Sequence, residues 1–191
     1  MIDNRVLRTK YDLRKALIEL LLKYDFNEIT VKLICDKALV HKQTFYKHYK
    51  DKYDLFHDVA NSIIETSISL DDNSNCSKVY FTTIIKNVIN ISILYKDFII
   101  SVSKNEILIE IIHNALMKYI MIVLNKFKNE RVLKYDIKLI ASGISGALEY
   151  MILDFLQDNP TKNKDSYISG LTNCIASIID NNILFDNKTK I

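Results

Sequence analysis

The sequence predicts an all-α fold, and three observations predict it. Gly occurs 3 times and Pro once in 191 residues, which leaves little material for hairpins or glycine-rich phosphate loops. Apolar residues recur at i, i+3 and i+4 along most of the chain, the spacing of an amphipathic helix rather than the alternation of a strand. Polar stretches such as DDNSNCS at 71–77 and QDNPTKNKD at 157–165 punctuate these runs. Ile is abundant and by propensity alone would suggest strands; the spacing decides for helices.

The elements follow in order. Thr9 with Asp12 three residues on reads as the N-terminal cap of a first helix, and Leu13, Ala16, Leu17, Leu20, Leu21 and Tyr24 then recur along one face until Asp25-Phe26-Asn27. The Thr30 hydroxyl caps a second, short helix with Val31, Ile34, Cys35 and Ala38 on one side. Leu39-Val40 makes a turn, and a third helix over about 41–49 buries Val40, Phe45 and Tyr49. Asp51 caps a fourth helix, about 52–70, with Leu55, Phe56, Val59 and Ile63 on its apolar side. Apolar helical stretches near 78–103, 106–129, 134–157 and 165–182 complete the chain, and the tail DNKTKI reads as frayed. This divides the protein into an N-terminal three-helix domain with a helix-turn-helix, residues 1–56, and a C-terminal helical-bundle domain, residues 57–191.

Charge singles out the N-terminal part. Residues 1–58 carry 12 Lys/Arg against 9 Asp/Glu, whereas 59–191 carry 14 of each. Within 30–52, six lysines face only Asp36 and Asp51, a local net of +4. A short polar helix with basic flanks has the size and chemistry to enter a DNA major groove. With Val40 and Phe45 inward, Lys42, Gln43, Tyr46 and Lys47 are left free; Lys and Gln read base edges, while Thr, Tyr and His hydrogen-bond phosphate oxygens. Lys52 falls in the first turn of the fourth helix, where the helix dipole disfavours a cation by about 0.3–1 kcal/mol. A phosphate bound there would be held by ammonium and helix amides together.

Residues 9–56 resemble the N-terminal domain of the TetR family of bacterial transcriptional regulators. The resemblance rests on Leu13, Ala16, Leu17 and Leu20, on ITV at 29–31, on Ile34 with Ala38, and on the run TFYKHYKDKYDLF at 44–56. It implies a homodimer whose small domain binds operator DNA and whose larger domain binds an effector, with repression as the usual output. Carried over by position, it assigns Lys42, Gln43 and Tyr46 to base contacts, and Thr30, Thr44, Lys47, His48 and Lys52 to phosphates. Leu39 stands where the family usually has Gly, and His41 where it has Ser or Asn. A Leu forced to positive φ would be strained by about 1–2 kcal/mol. The stretch 136–175, with ASGISGALEYMILDFL, is similar to the C-terminal domain of the subgroup that includes dihydroxyacetone kinase operon activators.

The small residues Ser142, Gly143, Ser145, Gly146 and Ala147, and again Ser166, Ser169 and Gly170, let a second helix approach closely. They fit either packing within one subunit or a twofold seam in which the two C-terminal helices of each subunit make a four-helix interface. Tyr80, Tyr95, His113, Met117 and Tyr119 are candidates to line an effector pocket, with ordinary core packing as the alternative. No nucleophile–base spacing and no metal-ligand spacing stand out, so the reading is not an enzyme, with no cofactor and no metal. Three scattered cysteines without a CxxC pair fit a reduced compartment. The N-terminus lacks a signal-peptide core and the longest uncharged runs fall short of a membrane span, so the expected location is cytoplasmic with no membrane partner. The expected function is a sequence-specific double-stranded-DNA-binding transcriptional repressor responsive to a small molecule or partner protein. The alternatives are an activator of the same family, or a helical ligand-binding or interaction protein that no longer reads DNA.

Overall fold

Helix α1 runs from Asn4 to Leu21, five residues upstream of the start expected from Thr9. Nothing in Arg5-Val6-Leu7-Arg8 breaks a helix, and the Thr9 hydroxyl, instead of capping, donates back to the Arg5 carbonyl at 2.9 Å. The computed structural model describes residues 4–67, 77–127, 131–133, 135–157 and 185–189, together with 166, 167, 169, 170, 173 and 174. The helix expected at 165–182 lies mostly outside these described residues.

After a turn in which the Asn27 N–H donates to Asp25 Oδ1, helix α2 spans Val31–Ala38 and helix α3 spans Lys42–Tyr46. Helix α4 spans Lys52–Ser67. The stretch expected as one helix at 78–103 is two, α5 (Ser77–Leu94) and α6 (Lys96–Val102), with a turn at Tyr95. Helix α7 covers Glu106–Phe127 and α8 covers Ile137–Gln157. The fold is all-α apart from a small antiparallel ribbon that pairs β1 (Arg131–Leu133) with β2 (Phe185–Thr189), Leu133 opposite Phe185. The segment expected to fray thus finds backbone partners in the connection before α8.

The chain forms two compact units. The first holds residues 1–62 and 97–112. Its core contains Leu13, Leu17, Ile29, Ile34, Phe45, Leu55 and Phe56. Each such side chain, removed from water, contributes about 1.5–3 kcal/mol. Phe26 sets its ring edge-on to Tyr53 and Phe56 at 5.0 and 5.9 Å. Phe98 on α6 lies 6.2 Å from the Phe56 ring, and the Ser101 hydroxyl donates to the Leu21 carbonyl at 2.6 Å. That bond uses one of the carbonyls left unpaired at the end of α1.

The second unit holds residues 63–96 and 113–191, and in it α5 packs on α8. Its buried positions include Val88, Ile89, Leu116, Ile120, Leu124, Ile140, Ala141, Leu148 and Leu156, spaced as one face per helix. Tyr167 stacks on Phe155 at 4.7 Å and donates its hydroxyl to the Met151 carbonyl. By length and composition α7 and α8 are apolar enough to cross a bilayer. Their buried positions recur at helical spacing, as in helices that pack in a bundle.

Candidate nucleic-acid interface

The helix-turn-helix is assembled from local chemistry. The Thr30 hydroxyl accepts from the Leu33 N–H at 3.2 Å and starts α2. The turn closes at Leu39, which takes φ 56° and ψ 38°, the left-handed region. The Val40 N–H then donates to the Cys35 carbonyl at 3.0 Å, a closure available only with a left-handed residue before it. Leu39 is therefore strained in place, and its side chain is 93% exposed, so no packing offsets the cost. It is the non-glycine residue with positive φ among the described residues.

Helix α3 is short and lacks a side-chain cap at its start. His41 has extended backbone at the N-cap position but makes no side-chain capping bond. Phe45, fully buried, and Tyr49, nearly so, pin the segment from below. Lys42, Gln43, Tyr46 and Lys47 are exposed, while Thr44 and His48 are half-buried. Val40, expected inside, is only half-buried, because the left-handed turn carries it to the rim. With Lys32, Asp36, His41, Lys42 and Gln43 it borders an open recess of about 530 Å³ between α2 and the start of α3. Two ammonium groups and one carboxylate make that recess attractive to anions. Cys35 closes its floor; burial pushes its thiol pKa up, which makes it inert rather than nucleophilic.

The first turn of α4 is built by Asp51, whose Oδ1 accepts from the N–H groups of Tyr53 and Asp54 at 2.8 and 2.9 Å. Asp54 reaches back to the Lys50 N–H at 3.0 Å, completing a reciprocal cap. Lys52 turns away from the open surface. Its ammonium donates to the carbonyls of Phe26 (2.6 Å), Ile29 (2.9 Å) and Asn27 (3.4 Å) and sits 4.5 Å from the Phe26 ring centre. Burial lowers its pKa, against the opposing pull of Asp25. In this geometry Lys52 ties α4 to the loop between α1 and α2. Sequence reasoning missed that role, because the partners lie 23–26 residues away.

It also missed three polar contacts. Asp58 Oδ2 accepts from Arg14 Nη1 at 3.1 Å and from the Tyr49 hydroxyl at 2.5 Å. Burial, then the Asp58 bond, pushes the Tyr49 pKa well above the usual phenol range, so the hydroxyl stays protonated and donates. In the second unit, His113 Nδ1 lies 3.1 Å from Glu149 Oε2. Glu149 is the lone carboxylate of the apolar run ASGISGALEYMIL, and that was the available signal for a partner. Burial raises its pKa, while His113 lowers it. Of the other candidate pocket residues, Met117 stands one turn from His113 on α7, and Tyr95, Met117 and Tyr119 are half-buried. Tyr80 falls outside the residues whose side chains are described. Among the described residues no cluster of His, Cys, Asp and Glu is placed to hold a metal ion.

A short exposed helix, basic and polar outward and pinned from beneath, in an all-α scaffold, is the arrangement of a helix-turn-helix. Residues 13–59 match the family described as bacterial regulatory proteins, tetR family. A stretch of 55 residues is 42% identical to the uncharacterized HTH-type transcriptional regulator YxbF of Bacillus subtilis (strain 168), covering 28% of this chain and 14% of that protein. The chain thus spans a small part of that relative. Solved structures extend the likeness of fold over nearly the whole chain. A TetR family transcription regulator from Marinobacter aquaeolei VT8 superposes with TM-score 0.62 at 13% identity, covering 97% of this chain and 100% of that one. The fatty acid degradation regulator FadR from Bacillus halodurans gives 0.61 at 11%, covering 89% and 93%. The dihydroxyacetone kinase operon activator DhaS gives 0.60 at 15%, covering 89% and 97%. The family match is confined to residues 13–59, and the solved structures show that the fold of the chain is the one these regulators share.

Proposed function

We propose that this protein is a homodimeric, cytoplasmic repressor that reads a specific double-stranded operator through α3 and releases it when the second unit binds an effector. The observation that carries this reading is the outward set Lys42, Gln43, Tyr46 and Lys47 on a helix pinned by Phe45 and Tyr49. Lys42, Gln43 and Tyr46 are assigned to bases, and Thr30, Thr44, Lys47 and His48 to phosphates. Lys52 adds charge at the same rim, although three carbonyls engage its ammonium in the free protein. Functionally the head is residues 1–56 and the body 57–191.

The dimer reading is supported by α8. Leu139, Ser142, Gly143, Ala147 and Tyr150 are exposed along one face, and a methyl group built on Gly143 or Gly146 meets nothing within 4 Å. Room beside a small-residue face fits approach by a second copy of the chain. A twofold axis would set two α3 helices about one DNA turn apart. An effector in the body, touching residues such as Tyr80, Tyr95, His113, Met117 or Tyr119, must favour one spacing of the heads over the other, since tight binding alone shifts nothing.

The test is a salt titration of the protein against a duplex it has selected from a random pool and against a scrambled duplex. Selected DNA should bind at least a thousandfold more tightly than scrambled DNA, and both should weaken as salt rises. Equal affinity for the two would sink the reading in favour of a helical interaction protein that has lost DNA recognition. A reporter driven by the selected site separates repression from activation. The resemblance of residues 136–175 to the dihydroxyacetone kinase operon activators, together with the likeness of this chain's fold to that of the activator DhaS, makes activation the second reading.

A further inference from the structure

We propose that Asp58 is a positioning residue for the reading helix: its carboxylate, gripped by Arg14 and by the Tyr49 hydroxyl, sets the angle at which α3 presents Lys42, Gln43 and Tyr46. The proposal rests on the reading of α3 as the DNA-reading helix. A helix of five residues cannot hold its own geometry, and His41 gives it no side-chain cap. Its orientation must come from tertiary anchors. Phe45 supplies one by burial, but apolar packing is weakly directional. The Tyr49 hydroxyl supplies a directional one, a 2.5 Å bond to a carboxylate oxygen.

That oxygen, Asp58 Oδ2, also accepts from Arg14 on α1 at 3.1 Å, so one atom ties α1 and α4 to the segment that leaves α3. The Lys10 ammonium stands 5.3 Å from the centre of the Tyr49 ring. The energetics favour orientation over stability as the use of this cluster. Arg14 and Asp58 keep about a quarter of their side-chain surface in water, 25% and 27%. Ion pairs that stay wetted add little to folding. What the cluster adds is a fixed direction for Tyr49, three residues beyond the end of α3.

The experiment uses the full chain with Tyr49→Phe, Asp58→Ala and the double variant. Affinity is measured for a duplex selected by the unmodified protein and for a scrambled duplex, with urea unfolding in parallel. Tyr49→Phe removes one oxygen and leaves the ring in the core. Each single variant should lower the ratio of selected to scrambled affinity about tenfold. Affinity for scrambled DNA and its salt slope should stay unchanged. The double variant should fall no further than Asp58→Ala alone, because that substitution already removes the bond that Tyr49→Phe removes. A purely structural role would move the urea midpoint and lower both affinities together, leaving the ratio intact, and would overturn the proposal. If Asp58→Ala fails to fold, Tyr49→Phe decides alone. An unmodified protein that discriminates, beside a Tyr49→Phe variant that discriminates equally, overturns the positioning role and leaves the DNA-reading function standing. An unmodified protein that selects no sequence overturns both.

Discussion

Replacing Leu39 by glycine should make this protein more stable, an unusual expectation for a residue in a tight turn. Leu39 sits at φ 56° and ψ 38°, where a Cβ crowds the following carbonyl at a cost of about 1–2 kcal/mol. Its side chain is 93% exposed, so truncation forfeits almost no burial. Glycine removes the clash, but its greater freedom in the unfolded chain takes back about 0.4–1 kcal/mol. The net gain for Leu39→Gly is therefore about 0.5–1 kcal/mol. For a chain of this size the thermal midpoint should rise by about 1–4 °C. Urea unfolding should show a higher midpoint at unchanged slope, since no new surface is buried. Leu39→Asn should keep part of the gain, because Asn tolerates the left-handed region. Leu39→Ala is the control: it removes the exposed isobutyl group and keeps the Cβ, so it should gain nothing. An equal gain from Ala and Gly would show that the exposed apolar surface, not the backbone, carried the cost. A loss on Leu39→Gly would show that the turn is held by contacts of the side chain.

Four further outcomes follow from the same structure. Lys42→Ala or Gln43→Ala should relax preference at particular base pairs by about 1–3 kcal/mol. Lys47→Ala should instead weaken every duplex and reduce the salt slope by about 0.9 per subunit; both are read by affinity measurements on single-substitution duplex panels. Glu149→Gln should stabilise the protein more at pH 7 than at pH 4 in chemical unfolding. The raised pKa of Glu149 means that its folded state favours the protonated form, a preference fully expressed below the unfolded value of about 4.3 and lost as pH rises through the folded value. A gain larger at pH 4 would reverse that sign. Gly143→Arg on the exposed face of α8 should convert a dimer to a monomer in sedimentation. A dimer of unchanged dissociation constant would remove α8 from the seam.

Most of the fold was legible because its signals are local. Thr30 and Asp51 cap helices through bonds to N–H groups two or three residues away, and such offsets are written in the sequence. Phe45 and Leu55 recur at core spacing and are buried. Where local rules compete, the sequence misled. Thr9 had a capping pattern, yet satisfied its hydroxyl inside a longer helix. The break at Tyr95 carries no Gly or Pro to announce it. For the candidate site, exposure of Lys42, Gln43, Tyr46 and Lys47 follows from where Phe45 must point. The partners of Lys52, Asp58 and Glu149 did not follow, because each bond spans a separation that only the packed helices create.

The carbonyl cage around Lys52 has a consequence for chemistry on the protein rather than for binding. An amine is acylated only where the reagent can reach its nitrogen, and the nitrogen of the half-buried Lys52 is turned onto the carbonyls of Phe26, Asn27 and Ile29. Lys42 and Lys47 stand open on α3. Brief treatment of the native protein with an anhydride should therefore label Lys42 and Lys47 early and Lys52 last. Bound DNA should protect the first two and leave the third as slow as before. Lys52 then serves as an internal reference in a footprint: its labelling reports opening of the head itself, so loss of protection at α3 can be told apart from unfolding. Rapid labelling of Lys52 in the folded protein would mean that the cage does not persist in solution.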